Sequence, residues 1–283
     1  MVQKILDLKD FISNLFNSII AICKVIAFSK FKVTNHKTNS RSCVILGNGP
    51  SLNDSLQNHL EFIKKHDIFC VNVFSASTYY KQLKPNNYLL LDNAFTEPNH
   101  ERASKAIVHL VDDTDWELNL FVPFKFKKSS YFVESIAKNP NIKVIYFNYV
   151  ILDGLDSLKF WFYKNELGMP QSQNVLVASI FRCINLKYKE IYVLGADHTW
   201  HETIRLNDDN EIVADDSHFY GTKTYEINKL MPKNKSYMAR QFLSLHKAFK
   251  GYEVLARYAE YRKVDVINAS KRSYIDVFRK IKL

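Results

Sequence analysis

The sequence predicts an α/β fold with a mostly parallel sheet and helices on both faces of it. Two observations lead to this prediction. From Cys43 onward, short apolar runs of strand length alternate with helical stretches, which is the pattern of parallel strands buried on both faces. A chain of 283 residues, 47% of them hydrophobic, can also bury a full core. We therefore expect one globular domain at 41–283, preceded by a separate segment at 1–40.

Each strand is predicted from a short run of apolar residues, and each helix from apolar residues spaced three or four apart. The basic and aromatic segment 123–132 is predicted as a strand end and a helix start, because no nucleic-acid motif accompanies it. The predicted strands are 43–47, 67–74, 87–92, 119–124, 142–147, 190–195 and 264–268. The predicted helices include 51–66, 174–186, two helices split near Gly251, and a closing helix at 274–281.

The segment 1–40 is predicted to be an amphipathic helix followed by a polar linker. Large apolar residues recur at helical spacing between Leu8 and Ile26. Asn14, Asn17 and Lys24 interrupt them, so a clean membrane span is not expected. Two interpretations stay open. The helix lies at the inner face of the plasma membrane with its basic flank, or it packs on the protein's own core or on a second copy.

The cysteines and the net charge narrow the class of protein. Cys43, Cys70 and Cys183 lie in apolar runs and no CxxC pair occurs, so we expect buried, reduced thiols in a cytoplasmic protein and no zinc site. The formal net charge of +10 favours an anionic partner, which is nucleic acid, anionic lipid or a phosphorylated substrate, and the charge alone does not choose among them.

Polar residues follow four of the predicted strands, where a core would not need them. In a parallel sheet, ligands bind beyond the carboxyl ends of the strands, so these residues predict a binding site at that edge. They are Gly47-Asn48-Gly49, Asn72, Asp92-Asn93 and the run from Gly195 to His198.

The first of these strand ends, in the segment VILGNGPSL, suits a phosphate. Gly47 and Gly49 carry no side chain, so backbone N–H groups between them can approach an anion. Pro50 and Ser51 are typical of a helix start, whose positive dipole end adds to the attraction. The motif is neither a P-loop nor the GxGxxG of dinucleotide folds, and a plain tight turn is the alternative interpretation.

A hairpin is predicted at 203–215, within a lid at about 198–235. The residues alternate around Asn-Asp-Asp-Asn and are flanked by histidine-bearing ends. Histidine is suited to general base catalysis near neutral pH. A divalent metal site and polar loop histidines without chemistry are the alternatives. The candidate metal ligands are Asp197, His198, His201, Glu202, Asp215, Asp216 and His218.

Four segments, in order, carry a family resemblance: VILGNGPSL, IFCVN, YKEIYVLGADH and DSHFYG. Together they resemble the bacterial sialyltransferases of glycosyltransferase family 42. They are also similar to the nucleotide-binding domain of motility accessory factors and to archaeal 6-hydroxymethylpterin diphosphokinase-like proteins. The resemblance implies a Rossmann-like sheet of a GT-A-like variant, a flexible lid and metal-independent chemistry.

The resemblance also implies roles for individual residues. By position, it places Asn48, Gly49, Asn72, Asp92 or Asn93, and Asp197 at the nucleotide. Gly47 and Ser51 beside the first strand end, and Asn174 at a helix start, are further candidates for nucleotide binding. Among the residues of the predicted lid, His201, Arg205 and Tyr220 are candidates for substrate binding, with Arg205 as a contact to a phosphate or carboxylate.

Two positions depart from the family pattern. Asn174-Val175-Leu176 stands where the family has a Ser-Gly element, and Thr222 stands where it has its catalytic histidine. The catalytic base would then be His218, with His198 as the second choice.

The resemblance implies a sialyltransferase-like glycosyltransferase. Such an enzyme moves a sugar from a CMP-activated donor to a cell-surface glycan, such as a polysaccharide, O-antigen or capsule, or to a lipid-linked oligosaccharide. The alternatives are a pterin-type diphosphokinase, which needs ATP and magnesium, and a non-catalytic nucleotide-binding protein. No nucleic-acid partner is expected, and a homo-oligomer is compatible with the sequence.

Overall fold

An eight-stranded, all-parallel sheet lies at the centre of the computed structural model, which describes residues 2–31, 38, 40–219, 221–226 and 237–283. The strands of the chain are β1 Ser42–Leu46, β2 Asp67–Val71, β3 Asn87–Leu89, β4 Leu118–Pro123, β5 Ile142–Phe147, β6 Glu190–Leu194, β7 Arg205–Leu206, β8 Ile212–His218, β9 Gly221–Glu226, β10 Asp265–Asn268 and β11 Arg279–Lys280. The order in the large sheet is β11-β10-β6-β1-β2-β3-β4-β5. This confirms the predicted parallel α/β fold.

Helices cover both faces of the sheet. They are α1 Val2–Phe28, α2 Leu52–Asn58, α3 Leu60–Lys64, α4 Tyr79–Leu83, α5 Glu101–Asp112, α6 Ser130–Ile136, α7 Asp156–Lys164, α8 Val175–Leu186, α9 Trp200–Thr203 and α10 Tyr237–Arg262. Alternate residues of the strands enter two separate cores, because successive side chains of a strand point to opposite faces. Cys43 and Ile45 of β1 pack with α1, α7, α8 and α10, whereas Val44 and Leu46 pack with α2 to α6.

The strand order reverses next to β1. The chain builds outward from β1 to β5, then returns and adds β6 on the other side of β1, followed by β10 and β11. The connections that leave β1 and β6 therefore diverge, and a crevice opens between them at the carboxyl edge of the sheet. The polar strand ends predicted from the sequence lie at this edge.

The predicted hairpin is part of a second, three-stranded antiparallel sheet. β7 pairs with β8 around the turn at 207–211, and β8 pairs with β9. Phe219, directly after β8, donates its N–H to the carbonyl of Asn48 in the loop that follows β1, at 3.0 Å. The hairpin therefore contacts the crevice. Residues 227–235 of the predicted lid, and Tyr220, lie outside the described residues.

Three of the helix predictions differ from the structure. The segment 51–66 forms two short helices, α2 and α3, that are separated at His59. No break occurs near Gly251, and α10 is continuous. Gly251 instead permits close packing against the loop before α8, since a Cβ at this position would lie 2.5 Å from the carbonyl oxygen of Gln171. The closing helix predicted at 274–281 is wrong. Asn268 donates to Ser273 and Ile275 and holds the chain in an extended path that ends in β11.

Helix α1 docks on the domain through a narrow stripe of small residues. Ser18, Ala21, Val25 and Ser29 are buried, and Ser18 Oγ accepts a hydrogen bond from the N–H of Leu155 at 2.9 Å. The stretch Asp7–Phe28 is long and apolar enough to cross a membrane by length and composition. This differs from the expectation drawn from its polar interruptions.

Candidate functional site

A cavity of about 490 Å³ occupies the crevice at the carboxyl edge of the sheet. Its walls come from the ends of β1 to β6, the start of α8 and the hairpin. Nine of the residues predicted for nucleotide binding or catalysis line this cavity. They are Asn48, Gly49, Asn72, Asp92, Asn93, Asn174, Asp197, His198 and His218.

The glycine-rich loop crosses the loop after β6 at very short range. Gly47 and Gly49 donate their N–H groups to the carbonyls of Leu194 and Gly195, each at 2.8 Å. A Cβ on Gly49 would lie 2.6 Å from Gly195 O and closer still to Asp197 Oδ2. The glycines therefore permit the close approach of two strand ends, and their N–H groups are engaged within the protein. This differs from the expected role of presenting N–H groups to an anion.

Asp197 links the loop after β6 to the loop after β1 through hydrogen bonds. Its carboxylate accepts hydrogen bonds from the backbone N–H of Ser51, at 3.2 Å, and from Ser51 Oγ, at 2.8 Å. Burial raises the pKa of Asp197, and the hydrogen bonds from Ser51 partly oppose that rise. Gly47 and Ser51, both predicted to bind the nucleotide, lie behind the cavity wall and shape it through these contacts.

Substituting Gly49 is expected to damage this crossing. We expect Gly49→Ala to lower the free energy of unfolding by about 1–3 kcal/mol, because the added methyl group overlaps the carbonyl of Gly195 and the carboxylate of Asp197. Chemical denaturation measures this. Ser51→Ala is the matched control, since it removes the hydroxyl that bonds Asp197 without adding atoms and should cost only about 1 kcal/mol. Unchanged stability in Gly49→Ala would refute the tight crossing.

Three asparagines present buried polar atoms at the cavity. Asn48 Oδ1, Asn72 Oδ1 and Asn174 Nδ2 have no hydrogen-bond partner among the described residues. Buried polar groups in folded proteins are nearly always hydrogen-bonded, so such a group in a cavity wall is suited to a ligand. Asn72 also has a left-handed backbone, with φ 50°, and strained conformations of this kind cluster at functional sites.

His198 is buried in the cavity wall and is held by its neighbours. It also has a left-handed backbone, with φ 56°, and its ring stacks on Trp200 at 4.3 Å between centroids. Tyr252 donates to Asn174 Oδ1, so its oxygen accepts a hydrogen bond from His198 Nε2 at 2.5 Å. Burial lowers the pKa of His198 to about 3. His198 is therefore neutral near pH 7 and is a weak base.

His218 has a different environment at the end of β8. Its Nδ1 lies 3.3 Å from the carbonyl oxygen of Asn48. A carbonyl only accepts hydrogen bonds, so Nδ1 carries the hydrogen and Nε2 is the basic nitrogen of the neutral ring. His218 also lines a second cavity of about 260 Å³, which shares Asn48, Asn72 and Asp92 with the first. The imidazole therefore lies at the boundary of two adjoining cavities.

The cavity contains a cation at a position that was not among the predicted site residues. Lys125, two residues after β4, lines the cavity, and its ammonium lies 5.3 Å from the ring centroid of Tyr149. Burial lowers the pKa of Lys125, and Asp92 partly opposes that shift. The rule that found Asn72 and Asp92, a polar residue beyond a strand end, also applies to Lys125.

Two of the three residues predicted to bind the substrate, His201 and Arg205, do not line the cavity. His201 is exposed and packs edge-on against Tyr274, at 4.4 Å between ring centroids. Arg205 pairs with Asp215 at 3.1 Å, and it is Asp215 that lines the cavity. Tyr220 lies outside the described residues. Over the part of the chain that the structure describes, no three His, Cys, Asp or Glu side chains group as metal ligands.

Comparison with known proteins finds a structural likeness only. No protein-family model matches the sequence, and no curated protein matches it. Among solved structures, the chain is similar to the MAf glycosyltransferase from Magnetospirillum magneticum AMB-1, with a TM-score of 0.53 and 13% sequence identity. The match covers 90% of this chain and 35% of that one, so this chain spans about a third of that protein's length. At this identity, the likeness shows a shared fold.

Proposed function

We propose that the protein is a glycosyltransferase that uses a nucleotide-activated sugar. The observation that carries the proposal is the position of His218 at the boundary of two adjoining cavities. Transfer of a sugar needs a donor site and an acceptor site that meet at a base. The fold shared with a MAf glycosyltransferase supports the same class of reaction.

The larger cavity suits the donor. Its asparagines offer both acceptor and donor atoms to a base or ribose, and Lys125 offers positive charge to a phosphate or to the carboxylate of a sugar acid. The sequence resemblance favours a CMP-activated nonulosonic sugar. We therefore take a CMP-sugar as the first donor to test, with a cell-surface glycan as the acceptor.

The smaller cavity suits the acceptor, and the reaction is a direct displacement. The acceptor hydroxyl attacks the anomeric carbon, the bond from that carbon to the donor phosphate breaks, and the electron pair leaves with the nucleotide. His218 Nε2 takes the hydroxyl proton. Lys125 stabilises the negative charge on the departing phosphate. Asn48 belongs to both parts, because its carbonyl orients His218 and the residue lines both cavities.

Nucleotide binding is expected to stabilise the fold. A ligand that binds only the native state at a hundred times its Kd adds about 2.7 kcal/mol, so CMP or CDP should raise Tm by roughly 5–10 °C. Asn72→Ala should lose most of this shift, because it removes a buried polar atom that faces the cavity. Asn58→Ala, at an exposed asparagine bonded only to Asp54, should keep it. No shift with any cytidine nucleotide at millimolar concentration would count against a CMP donor.

A donor screen separates the proposal from its alternatives. The protein is incubated with CMP-sugars, UDP-sugars or ATP, with and without a chelator, and released nucleotide is measured. Release from a CMP-sugar supports the donor class, and release from a UDP-sugar keeps glycosyl transfer but changes the donor. Cleavage of ATP alone would favour the diphosphokinase, and no release with any of them would favour a non-catalytic binding protein.

A further inference from the structure

Helix α1 has three faces of different chemistry. With about 100° of rotation per residue, the docked stripe from Ser18 to Ser29 covers about 80° of the helix. Over residues 7–28, a second sector, about 140° wide, holds only exposed apolar side chains. These are Leu8, Phe11, Ile12, Leu15, Phe16, Ile19, Ile22, Cys23 and Ile26.

The third sector of the helix is polar. It holds Lys9, Asp10, Ser13, Asn17 and Lys24, with Ile20, Ala27 and Phe28 as apolar exceptions. A helix that spans a bilayer would expose this sector to hydrocarbon, where charged and amide groups are costly. The docked stripe excludes a span for a second reason. Lys24 and Ser29 donate to the carbonyls of Ile151 and Leu167, so the domain lies along the same length of helix.

We propose that α1 lies in the plane of an anionic membrane surface, with its apolar sector in the acyl boundary, its docked stripe on the domain and its polar sector in water. A helix that lies in the membrane plane needs an apolar face that the protein itself does not cover, opposite a polar face. The apolar sector of α1 is such a face, since Phe16 is 63% and Ile26 71% exposed. Trp161 is also exposed, on the helix α7 that contacts α1, and tryptophan is typical of membrane interfaces.

The charge of the chain around α1 favours anionic lipid as the partner of the apolar sector. No acidic residue occurs between Asp10 and Asp54, whereas Lys24, Lys30, Lys32, Lys37 and Arg41 all lie in that interval. Each basic residue near an anionic surface adds attraction that salt screens. Two copies of this basic stretch would repel each other, so a second copy of the chain is less suited than anionic lipid to cover the apolar sector.

Cys23 provides a native probe for this proposal. It is exposed in the apolar sector of α1, while Cys43, Cys70 and Cys183 are buried. An environment-sensitive fluorophore on Cys23 of the full-length protein should shift to shorter emission wavelength when phosphatidylglycerol-containing vesicles are added. Vesicles of phosphatidylcholine alone should produce a smaller shift, and high salt should reduce the shift with anionic vesicles.

The depth of the probe distinguishes an in-plane helix from a spanning one. For this test the probe is moved to Asn17→Cys in a Cys23→Ser background, because a spanning Asp7–Phe28 would place Asn17 within about 1 Å of the bilayer mid-plane, whereas the in-plane helix places it in the polar sector. Nitroxide-labelled lipids therefore decide the orientation. Stronger quenching by a label near the headgroup supports the in-plane helix, and stronger quenching by a label at the end of the acyl chain overturns it.

Vesicle sedimentation with matched variants completes the test. The triple variant Phe16→Gln, Ile19→Gln and Ile26→Gln should bind anionic vesicles at least about a hundredfold more weakly, with an unchanged Tm because all three side chains are exposed. The control Phe242→Gln with Leu243→Gln removes equally exposed apolar residues of α10 and should bind normally. Absence of vesicle binding by the unmodified protein, or a dimer that the triple variant abolishes, would refute the proposal. Neither result depends on glycosyl transfer.

Discussion

Replacing His218 by alanine is expected to lower the turnover of glycosyl transfer by about a hundredfold or more, with the Kd of the donor nucleotide nearly unchanged. The reason is geometric. The carbonyl of Asn48 fixes the proton on Nδ1, so Nε2 is the basic nitrogen, and the ring borders both cavities. Single-turnover kinetics with the donor found in the screen, together with calorimetric measurement of nucleotide affinity, check this.

Two controls make the result specific to a base. His201→Ala removes an exposed histidine outside the cavity, so its turnover should stay at the parent value. Added imidazole should restore part of the activity of His218→Ala, because a small base can occupy the space left by the ring. Normal turnover in His218→Ala would exclude it as the base, and an equal loss of nucleotide affinity would make it a ligand contact.

The second large effect is expected in the core, at the ion pair between Arg182 of α8 and Glu166. Both are buried, with 1% and 6% of their surfaces exposed, and the guanidinium lies 5.1 Å from the ring centroid of Phe121. Removing one member leaves an uncompensated charge in an apolar region. We expect Arg182→Met to cost about 3–5 kcal/mol of unfolding free energy and to lower Tm by roughly 6–20 °C.

The partner substitution tests the cause of this loss. Adding Glu166→Gln to Arg182→Met removes the isolated charge, so the double variant should be more stable than Arg182→Met alone. The exposed pair Arg41–Glu190 is the control: Arg41 is 79% exposed on its side chain, so Arg41→Met should cost about 1 kcal/mol or less. A double variant as unstable as the single one would show that lost packing, and not the charge, causes the effect.

The central strands could be predicted from the sequence because their signal is local. Strands such as β1 and β6 are buried on both faces, so nearly every residue in them is apolar and each run is easy to recognise. The prediction of a helix at 274–281 is wrong because the conformation of this segment depends on Asn268, which lies outside it. The side chain of Asn268 donates hydrogen bonds to the Ser273 hydroxyl and the Ile275 carbonyl. Such a contact leaves no periodic signal in the segment itself.

The location of the cavity could be predicted from the sequence, but the contacts within it could not. Asn48, Asn72 and Asp197 were found because a polar residue beyond a buried strand needs an explanation. Gly47 and Gly49 permit the close approach of the loops that follow β1 and β6. This approach depends on the pairing of two strands whose residues are nearly 150 positions apart in the sequence. The pKa of His198, about 3, likewise depends on burial created by Trp200 and by Tyr252 of α10. Neither distance nor burial can be derived from a single motif.

The docking of α1 also has a consequence during synthesis of the chain on the ribosome. Ser18 can form its hydrogen bond with Leu155 only after a further 137 residues have been synthesised. At roughly 5–20 residues per second, that interval lasts about 7–27 s. During this time the helix has been synthesised but its docking surface has not, so both its small-residue stripe and its apolar sector face the surroundings. A ribosome close to a membrane would therefore deliver the helix to lipid before the domain has folded, whereas one far from any membrane would leave it open to aggregation.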